Sequence, residues 1–311
     1  MVKNMKKCAI FLMLTTFSLT TFANNTFDLQ KINNKSGKEI HYYIIKRDVQ
    51  PSDDLLVLIQ GSDCRSVVNN DSMIKNFGGA FPKNDILLVE KTGLNSQVGK
   101  DGKEVSAKDC PIDYMKNDSP LERAENYLAL IEYLKNNYHN IVIIGGSEGA
   151  VVTNLIISKT DKVQASVSLN MGGQFFINDV IYSIEKTTPT AEIPQYIDGF
   201  KQFAKEVVQN KLDEDQFPSE HGGKWWREML TINNQKLIRS VKTPHLVIQT
   251  MDDINVDPYS VVRMMEKSNN QHVYFKTYQG LDHFFVDNKG QGQTELIVKD
   301  IQLWYQTVDK K

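Results

Sequence analysis

The sequence predicts an α/β domain in which a mostly parallel central sheet is flanked by helices. Short, continuous apolar runs, which are typical of buried strands, alternate along the chain with segments whose apolar residues recur at helical spacing. Strands joined by helices in this order run parallel, and the helices then cover both faces of the sheet. With 311 residues, the chain is long enough for one large domain with a sizeable core.

The individual elements follow from this pattern. Strands are predicted, from runs rich in β-branched and other apolar residues, at 41–46, 55–60, 86–90, 141–144, 163–169, 245–249 and 273–278. Helices are predicted at 119–136, 150–157, 195–209, 258–267 and 294–305. The first of these helices opens with S-P-L-E, a capping box that has proline at the first helical position.

The first 23 residues are expected to form a signal peptide that is not part of the fold. Lys3, Lys6 and Lys7 precede an apolar run over 8–22, which is too short to span a bilayer comfortably. The run ends in T-F-A, a small-x-small cleavage site at Ala23. We therefore expect export to the periplasm or the medium, and a mature domain over 24–311 without stable membrane insertion. An uncleaved membrane anchor is the alternative.

One long segment, residues 171–244, interrupts the alternation of strands and helices. It separates two predicted strands and is far longer than a simple crossover connection. We interpret it as an inserted helical lid over the carboxyl ends of the strands. The segment carries two adjacent tryptophans, Trp225 and Trp226, for which two roles are open. They either form the core of the lid or form a wall of the substrate pocket.

Residues 140–150, NIVIIGGSEGA, contain the pattern G-x-S-x-G between a predicted strand and a predicted helix. In that context the pattern indicates a nucleophile elbow. The turn leaves no room for side chains at Gly145 and Gly149, and it exposes the hydroxyl of Ser147. The backbone N–H of Glu148 then starts a helix, where it can stabilise a developing oxyanion. The alternative is a glycine-rich turn with an inert serine.

A nucleophilic serine needs a base, and the base needs an acid that orients it. Among the six histidines, His283 is the candidate base, because it lies in the loop G-L-D-H-F-F directly after a predicted strand. The candidate acid follows the preceding strand, and we favour Asp253 for its D-x-x-V spacing into the next helix. Asp252 is the alternative, whereas Asp257 is expected to cap that helix before Pro258.

The order Ser147, Asp253, His283 resembles that of the α/β-hydrolase superfamily, and the resemblance extends from about residue 40 to the C-terminus. The G-G-S-E-G elbow and the G-L-D-H-F loop are the motifs that carry it. The chain also resembles a subset of exported bacterial serine hydrolases with a G-S-x-C turn, here at 61–64, and an E-K-x-G strand end, here at 90–93.

The superfamily resemblance implies a second oxyanion donor in the loop after an early strand, often with the sequence H-G-x. This chain has Gln60 where that pattern has histidine, and the N–H of Ser62 is the implied donor beside that of Glu148. The alternative is that this turn only leads to a disulfide. The carboxylate of Glu148 is favoured by the helix dipole, and binding of a substrate amine or hydroxyl is a second option for it.

Cys64 and Cys110 are the cysteines that remain after removal of the signal peptide. Two cysteines in an exported protein most often pair, so we expect a disulfide between them. It would tie the loop that contains Ser62 to the segment before the capped helix. Two free, buried thiols are the alternative.

The sequence therefore predicts a serine hydrolase that cleaves a carboxylic ester in a small-molecule or acyl substrate. A serine peptidase or amidase of the same fold is the main alternative, and a non-catalytic binding protein is another. No cofactor is expected, and the sequence has no H-E-x-x-H or closely spaced Cys/His set that would bind a metal. The formal net charge of −2, without a long basic block, argues against nucleic-acid binding.

Overall fold

The structure, a computed structural model, describes residues 27–47, 52–103 and 105–309. The predicted signal peptide and its cleavage site after Ala23 lie outside the described residues. Among the helices that are described, none combines the length and the apolar character needed to cross a membrane.

A single sheet runs through the described part of the chain. Its strands are β1 (Gln30–Asn33), β2 (Glu39–Ile45), β3 (Asp54–Ile59), β4 (Asp85–Val89), β5 (Asn140–Gly146), β6 (Ala165–Leu169), β7 (His245–Thr250) and β8 (Val273–Tyr278). Their order in the sheet is β1-β2-β4-β3-β5-β6-β7-β8. The pairs β1–β2 and β2–β4 are antiparallel, and all pairs from β4 to β8 are parallel. The prediction of a mostly parallel sheet is confirmed; β1 was not predicted, because its sequence QKIN is polar and mostly exposed.

Helices flank this sheet on both faces, as predicted. They are α1 (Ile112–Asn117), α2 (Pro120–Leu134), α3 (Glu148–Ile157), α4 (Phe176–Thr187), α5 (Ile193–Val208), α6 (Gly223–Thr231), α7 (Asn234–Ser240), α8 (Pro258–Glu266) and α9 (Thr294–Val308). The predicted capping box holds at α2, where the Ser119 hydroxyl accepts a hydrogen bond from the N–H of Glu122.

Strand β3 shows how the sheet separates two apolar cores. Leu55, Val57 and Ile59 face α2 and α3, where they join one buried cluster. Leu56 and Leu58 point to the other face and pack in the cluster that includes α9. Since successive side chains of a strand alternate between faces, a continuous apolar run is required only where both faces are covered.

The segment 171–244, which we call the insertion, contains α4, α5, α6 and α7 and lies between β6 and β7 in the chain. Trp225 and Trp226 of α6 pack with Ala204 and Val207 of α5 in a buried cluster. That cluster also includes Val151 of α3, the helix that follows the predicted elbow. The insertion therefore packs at the edge of the sheet where the candidate nucleophile lies.

Candidate active site

Ser147 lies in a tight turn between β5 and α3, as the sequence predicted. Its φ of 55° and ψ of −124° are a conformation that non-glycine residues rarely adopt. A Cβ at Gly145 would lie 2.2 Å from the carbonyl oxygen of Gly149, and a Cβ at Gly149 would lie 2.2 Å from that of Ile59. Only glycine fits at these two positions, so the close approach of β5, α3 and β3 forces the serine into the strained turn.

The candidate acid and base meet at the same edge of the sheet, in the loops after β7 and β8. His283 Nδ1 and Asp253 Oδ2 are 2.7 Å apart, and Asp253 is fully buried. The other carboxylate oxygen, Oδ1, accepts the backbone N–H groups of Asn255 (2.8 Å) and Val256 (3.1 Å). Two fixed N–H groups therefore set the orientation of the carboxylate that faces the histidine.

The structure places Asp253, and not Asp252, against the histidine. Asp252 is exposed and accepts the N–H of Gly280 at 3.3 Å. Asp257 has the capping role predicted for it, since it accepts the N–H of Tyr259 at 3.0 Å at the start of α8.

Asn170, which the sequence reasoning missed, holds the histidine loop to the end of β7. Its Nδ2 donates to the carbonyl of His283 at 2.9 Å, and its Oδ1 accepts the N–H of Thr250 at 2.9 Å. Asn170 has a φ of 51°, a left-handed conformation that asparagine tolerates better than most residues. Its position directly after the predicted strand 163–169 is the sequence feature that could have identified it.

Ser147 and His283 line one cavity of about 940 Å³. Apolar and aromatic side chains from the insertion and from the loops form much of its wall: Met73, Phe77, Phe176, Val180, Ile184, Trp225, Trp226 and Phe285. Among the described residues, no lysine or arginine lines it, and its ionisable carboxylates are Asp63 and Glu220. A larger surface groove of about 1230 Å³ runs along α2 and contains none of the candidate catalytic residues.

The loop after β3, residues 60–63, passes beside the candidate nucleophile. A Cβ placed on Gly61 would lie 3.4 Å from the Cβ of Ser147. Within the described part of the chain, the N–H groups of Ser62 and Glu148 donate no hydrogen bond. The two predicted oxyanion donors therefore lie next to the serine, and neither is bound to an acceptor within the described part of the protein.

Gln60 stands where the superfamily pattern has histidine, and its side chain closes the turn of this loop. The amide Nε2 contacts Asp63 Oδ1 and donates to the carbonyl of Arg65 at 2.8 Å.

The side chain of Glu148 points away from the cavity into the protein. Its carboxylate forms a buried ion pair with Arg123 and accepts the indole N–H of Trp225 at 2.8 Å. Burial by itself raises the pKa of Glu148, but the positive charges of Arg123 and Lys91 outweigh it and hold the pKa below its ordinary value. The partners of the carboxylate are therefore protein groups, which leaves the option of substrate binding by Glu148 without support.

Trp225 and Trp226 combine the two roles that the sequence left open. Both are buried in the cluster of the insertion, and both line the cavity. His221, which the sequence reasoning did not select, also lines the cavity and stacks on Trp225 with ring centroids 3.8 Å apart. Burial lowers the pKa of His221 to about 3, so this imidazole is neutral at pH 7.

Cys64 and Cys110 are free thiols in the structure, which differs from the predicted disulfide. Both are buried in one cluster with Tyr114, so the two loops do meet as expected. The two thiols are close enough for each to shift the pKa of the other. That contact lowers the pKa of Cys64 and raises the pKa of Cys110 above its ordinary value.

Comparison with known proteins agrees with this architecture. The α/β hydrolase GrgF from Penicillium sp. sh18 is 12% identical, with a TM-score of 0.59 over 91% of this chain and 99% of that chain. The Pyrococcus furiosus esterase Pf2001 is 14% identical, with a TM-score of 0.56 over 91% and 92% of the two chains. The Pyrococcus horikoshii acylaminoacyl peptidase is 14% identical, with a TM-score of 0.55 over 98% of this chain and 44% of that chain. At these identities the similarity shows the α/β-hydrolase fold.

The sequence match is more specific than the structural similarity. No curated protein sequence matches the chain significantly. Residues 121–284, more than half of the chain, match the family described as BAAT / acyl-CoA thioester hydrolase C terminal. The matched region begins in α2, ends next to His283 and includes the elbow and the insertion. The chain therefore belongs to the BAAT / acyl-CoA thioester hydrolase C-terminal family.

Proposed function

We propose that this protein is a serine hydrolase that cleaves carboxylic esters or thioesters through an acyl-enzyme. The observation that carries the proposal is the contact of 2.7 Å between His283 Nδ1 and Asp253 Oδ2, at a cavity that Ser147 also lines. Membership in a family named for thioester hydrolysis supports an acyl bond as the target. The similarity to an esterase supports an oxygen ester among the substrates.

The proposed reaction begins with proton transfer from the serine. The ionised Asp253 accepts the Nδ1–H of His283, so Nε2 is left free to accept a proton. Nε2 takes the hydroxyl proton of Ser147 as Oγ attacks the carbonyl carbon, and the π electrons of the C=O bond move to its oxygen. The N–H groups of Ser62 and Glu148 stabilise this oxyanion, and each such donor contributes about 3 kcal/mol to lowering the barrier.

Collapse of the tetrahedral intermediate completes the first half. The bond to the leaving group breaks, and the alcohol or thiol takes the proton from the imidazolium of His283. Water then attacks the acyl-enzyme by the same route and releases the carboxylic acid and free Ser147.

We further propose that the protein acts after export, and that the insertion serves as a lid over the cavity. The basic and apolar N-terminal segment supports export. The contribution of Phe176, His221 and Trp225 to the cavity wall supports the role of the insertion.

The fluorophosphonate reaction tests the proposed function directly. We expect a fluorophosphonate probe to label the purified mature protein at Ser147, and we expect p-nitrophenyl esters to be hydrolysed faster than aminoacyl p-nitroanilides. Faster hydrolysis of the anilides would favour the peptidase alternative. A folded protein that neither reacts with the probe nor hydrolyses either substrate would contradict the proposal and favour a binding protein.

The charge of the cavity makes a prediction about the leaving group. Coenzyme A carries phosphates, which proteins usually bind with arginine and lysine, and neither residue lines the described cavity. We therefore expect kcat/KM for an acyl-pantetheine thioester, which lacks these phosphates, to equal or exceed that for the acyl-CoA with the same acyl chain. A preference of more than about tenfold for the acyl-CoA would show that phosphate-binding residues outside the cavity contribute.

A further inference from the structure

Three carbonyl oxygens of the loop 60–63 are each bound by a buried side chain from a different part of the chain. The hydrogen bonds run from Arg123 Nη2 to the carbonyl of Gln60 (2.7 Å), from Tyr114 Oη to that of Ser62 (2.8 Å), and from Lys91 Nζ to that of Asp63 (2.6 Å). Arg123 belongs to α2 and Tyr114 to α1, whereas Lys91 follows β4. We call these three side chains the loop frame.

The loop frame restricts the direction of the peptide N–H groups in the loop. In a trans peptide the C=O and the N–H point in opposite directions, and the described chain contains no cis peptide bond. The frame holds the peptide before Gly61 and the peptide after Ser62. The N–H of Ser62 belongs to the one peptide between them, so its direction is limited from both sides.

Arg123 connects the two halves of the candidate oxyanion hole. Its Nη2 binds the carbonyl of Gln60 in the loop, and its Nη1 binds the carboxylate of Glu148, the residue after the nucleophile. A guanidinium is planar and presents its donors in a fixed fork. The spacing between the loop and the start of α3 is therefore set by one rigid group.

The loop frame places two cations, Arg123 and Lys91, inside the protein. Arg123 is 6% exposed and Lys91 is 3% exposed. Arg123 has Glu148 as its partner, but Lys91 forms no ion pair within the described residues and binds neutral oxygens instead. Burial of a charged group costs free energy unless the group is compensated, and Lys91 is compensated by the carbonyl of Asp63, the hydroxyl of Tyr114 and the nearby charge of Glu148.

The frame also explains the E-K-x-G strand end at 90–93. Lys91 binds the loop, and the carboxylate of Glu90 accepts the hydroxyl of Ser66 and the N–H of Val67 (3.2 Å), just beyond the loop. Gly93 has a φ of 80°, and a Cβ there would lie 2.2 Å from the backbone nitrogen of Tyr114. Glycine is thus needed for Tyr114 to come close enough to reach the loop.

We propose that Arg123, Tyr114 and Lys91 are positioning residues that aim the N–H of Ser62 at the oxyanion and keep it in register with the N–H of Glu148. This inference rests on the proposed function. Because the frame touches no substrate atom, it affects the transition state through the donors alone. Its loss should therefore lower kcat and leave KM nearly unchanged.

Tyr114→Phe is the cleanest test, because it removes one hydroxyl and keeps a ring that is fully buried. We expect kcat for a p-nitrophenyl ester to fall about tenfold with KM within about twofold, which is less than the loss of a whole oxyanion donor. Arg123→Lys keeps the charge but loses the fork, and we expect a larger fall in kcat, on the order of 10²-fold.

Tyr138→Phe is the matched control. Tyr138 is also buried, and its hydroxyl donates to Asp85 at 2.7 Å at the amino-terminal edge of the sheet, away from the cavity. We expect this variant to keep the wild-type kcat. Equal kcat values for Tyr114→Phe and Tyr138→Phe, in an active enzyme, would overturn the inference and leave the proposed function intact.

Amide hydrogen exchange gives a readout that does not depend on activity. Peptides that cover 60–67 should exchange faster in Tyr114→Phe than in Tyr138→Phe, because the bonds made by the N–H groups of Ser66 and Val67 depend on the position of the loop. If the wild type hydrolyses no substrate, the proposed function fails. The amide exchange rates of peptides 60–67 then test whether the loop frame holds the loop. Unchanged exchange would then overturn the frame, and faster exchange would support it as a loop-holding device.

Discussion

Replacement of Ser147 by alanine is expected to abolish hydrolysis of activated esters and to leave the fold unchanged. Alanine keeps the Cβ, so it adds no strain at the φ of 55° that the serine already tolerates. Within the described residues the Ser147 hydroxyl forms no hydrogen bond, so its removal leaves no buried partner unsatisfied. We expect kcat/KM to fall by at least about 10³-fold while the melting temperature stays close to that of the wild type.

The measurement is the rate of p-nitrophenyl ester hydrolysis beside a thermal melt followed by circular dichroism. Ser158→Ala is the matched control, because Ser158 caps the other end of the same helix α3 and its hydroxyl donates to the carbonyl of Leu155 at 2.9 Å. Activity of a folded Ser147→Ala protein within tenfold of wild type would refute the assignment of the nucleophile.

Asp253→Asn is expected to lower turnover far more than Asp252→Asn. In the wild type, Asp253 Oδ1 accepts two backbone N–H groups and Oδ2 faces His283. An asparagine can keep the first pair of bonds only by placing its oxygen there, which turns its NH₂ group towards the histidine. The imidazole must then accept at Nδ1 and carry its proton on Nε2, where it can no longer take the serine proton. In enzymes with this arrangement such a change lowers kcat by about 10⁴-fold.

Asp252→Asn is the control for this test. Asp252 is exposed, and its bond to the N–H of Gly280 can be replaced by the asparagine oxygen, so we expect turnover within about twofold of wild type. The measurement is kcat across a pH series for both variants. A greater loss in Asp252→Asn would mean that the acid is assigned to the wrong residue.

The elements of the sheet could be predicted because buried parallel strands have a local signature. Strand 273–278 was predicted with the bounds that β8 has, and the other predicted strands lie within about two residues of their observed ends. The edge strand β1 was missed because only its pairing with β2 makes it a strand, and its own residues are polar. The residues of a short segment do not show by themselves whether it will pair with a neighbouring strand.

The glycines and the serine of the elbow show how far a local motif reaches. Gly145 and Gly149 were predicted from spacing, and their close contacts with Gly149 O and Ile59 O bear out the reason given for them. The disulfide that we predicted from the number of cysteines is not present in the structure, where Cys64 and Cys110 are free thiols in one buried cluster. Proximity follows from loops at one edge of the sheet, whereas the bond depends on the exact placement of two sulfurs.

The sequence by itself determined the fold class, the tight turn at Ser147 and the loop that carries His283, because each depends on residues that are close in the chain. The sequence favoured Asp253 and left Asp252 open, and the tertiary structure decided between them, because the acid and His283 are 30 positions apart and meet only after β7 and β8 pair. The tertiary structure alone revealed the loop frame, whose residues look like an ordinary helical arginine, a strand-end lysine and an apolar tyrosine in the sequence. Their role arises from contacts between separate elements, and burial makes those contacts strong.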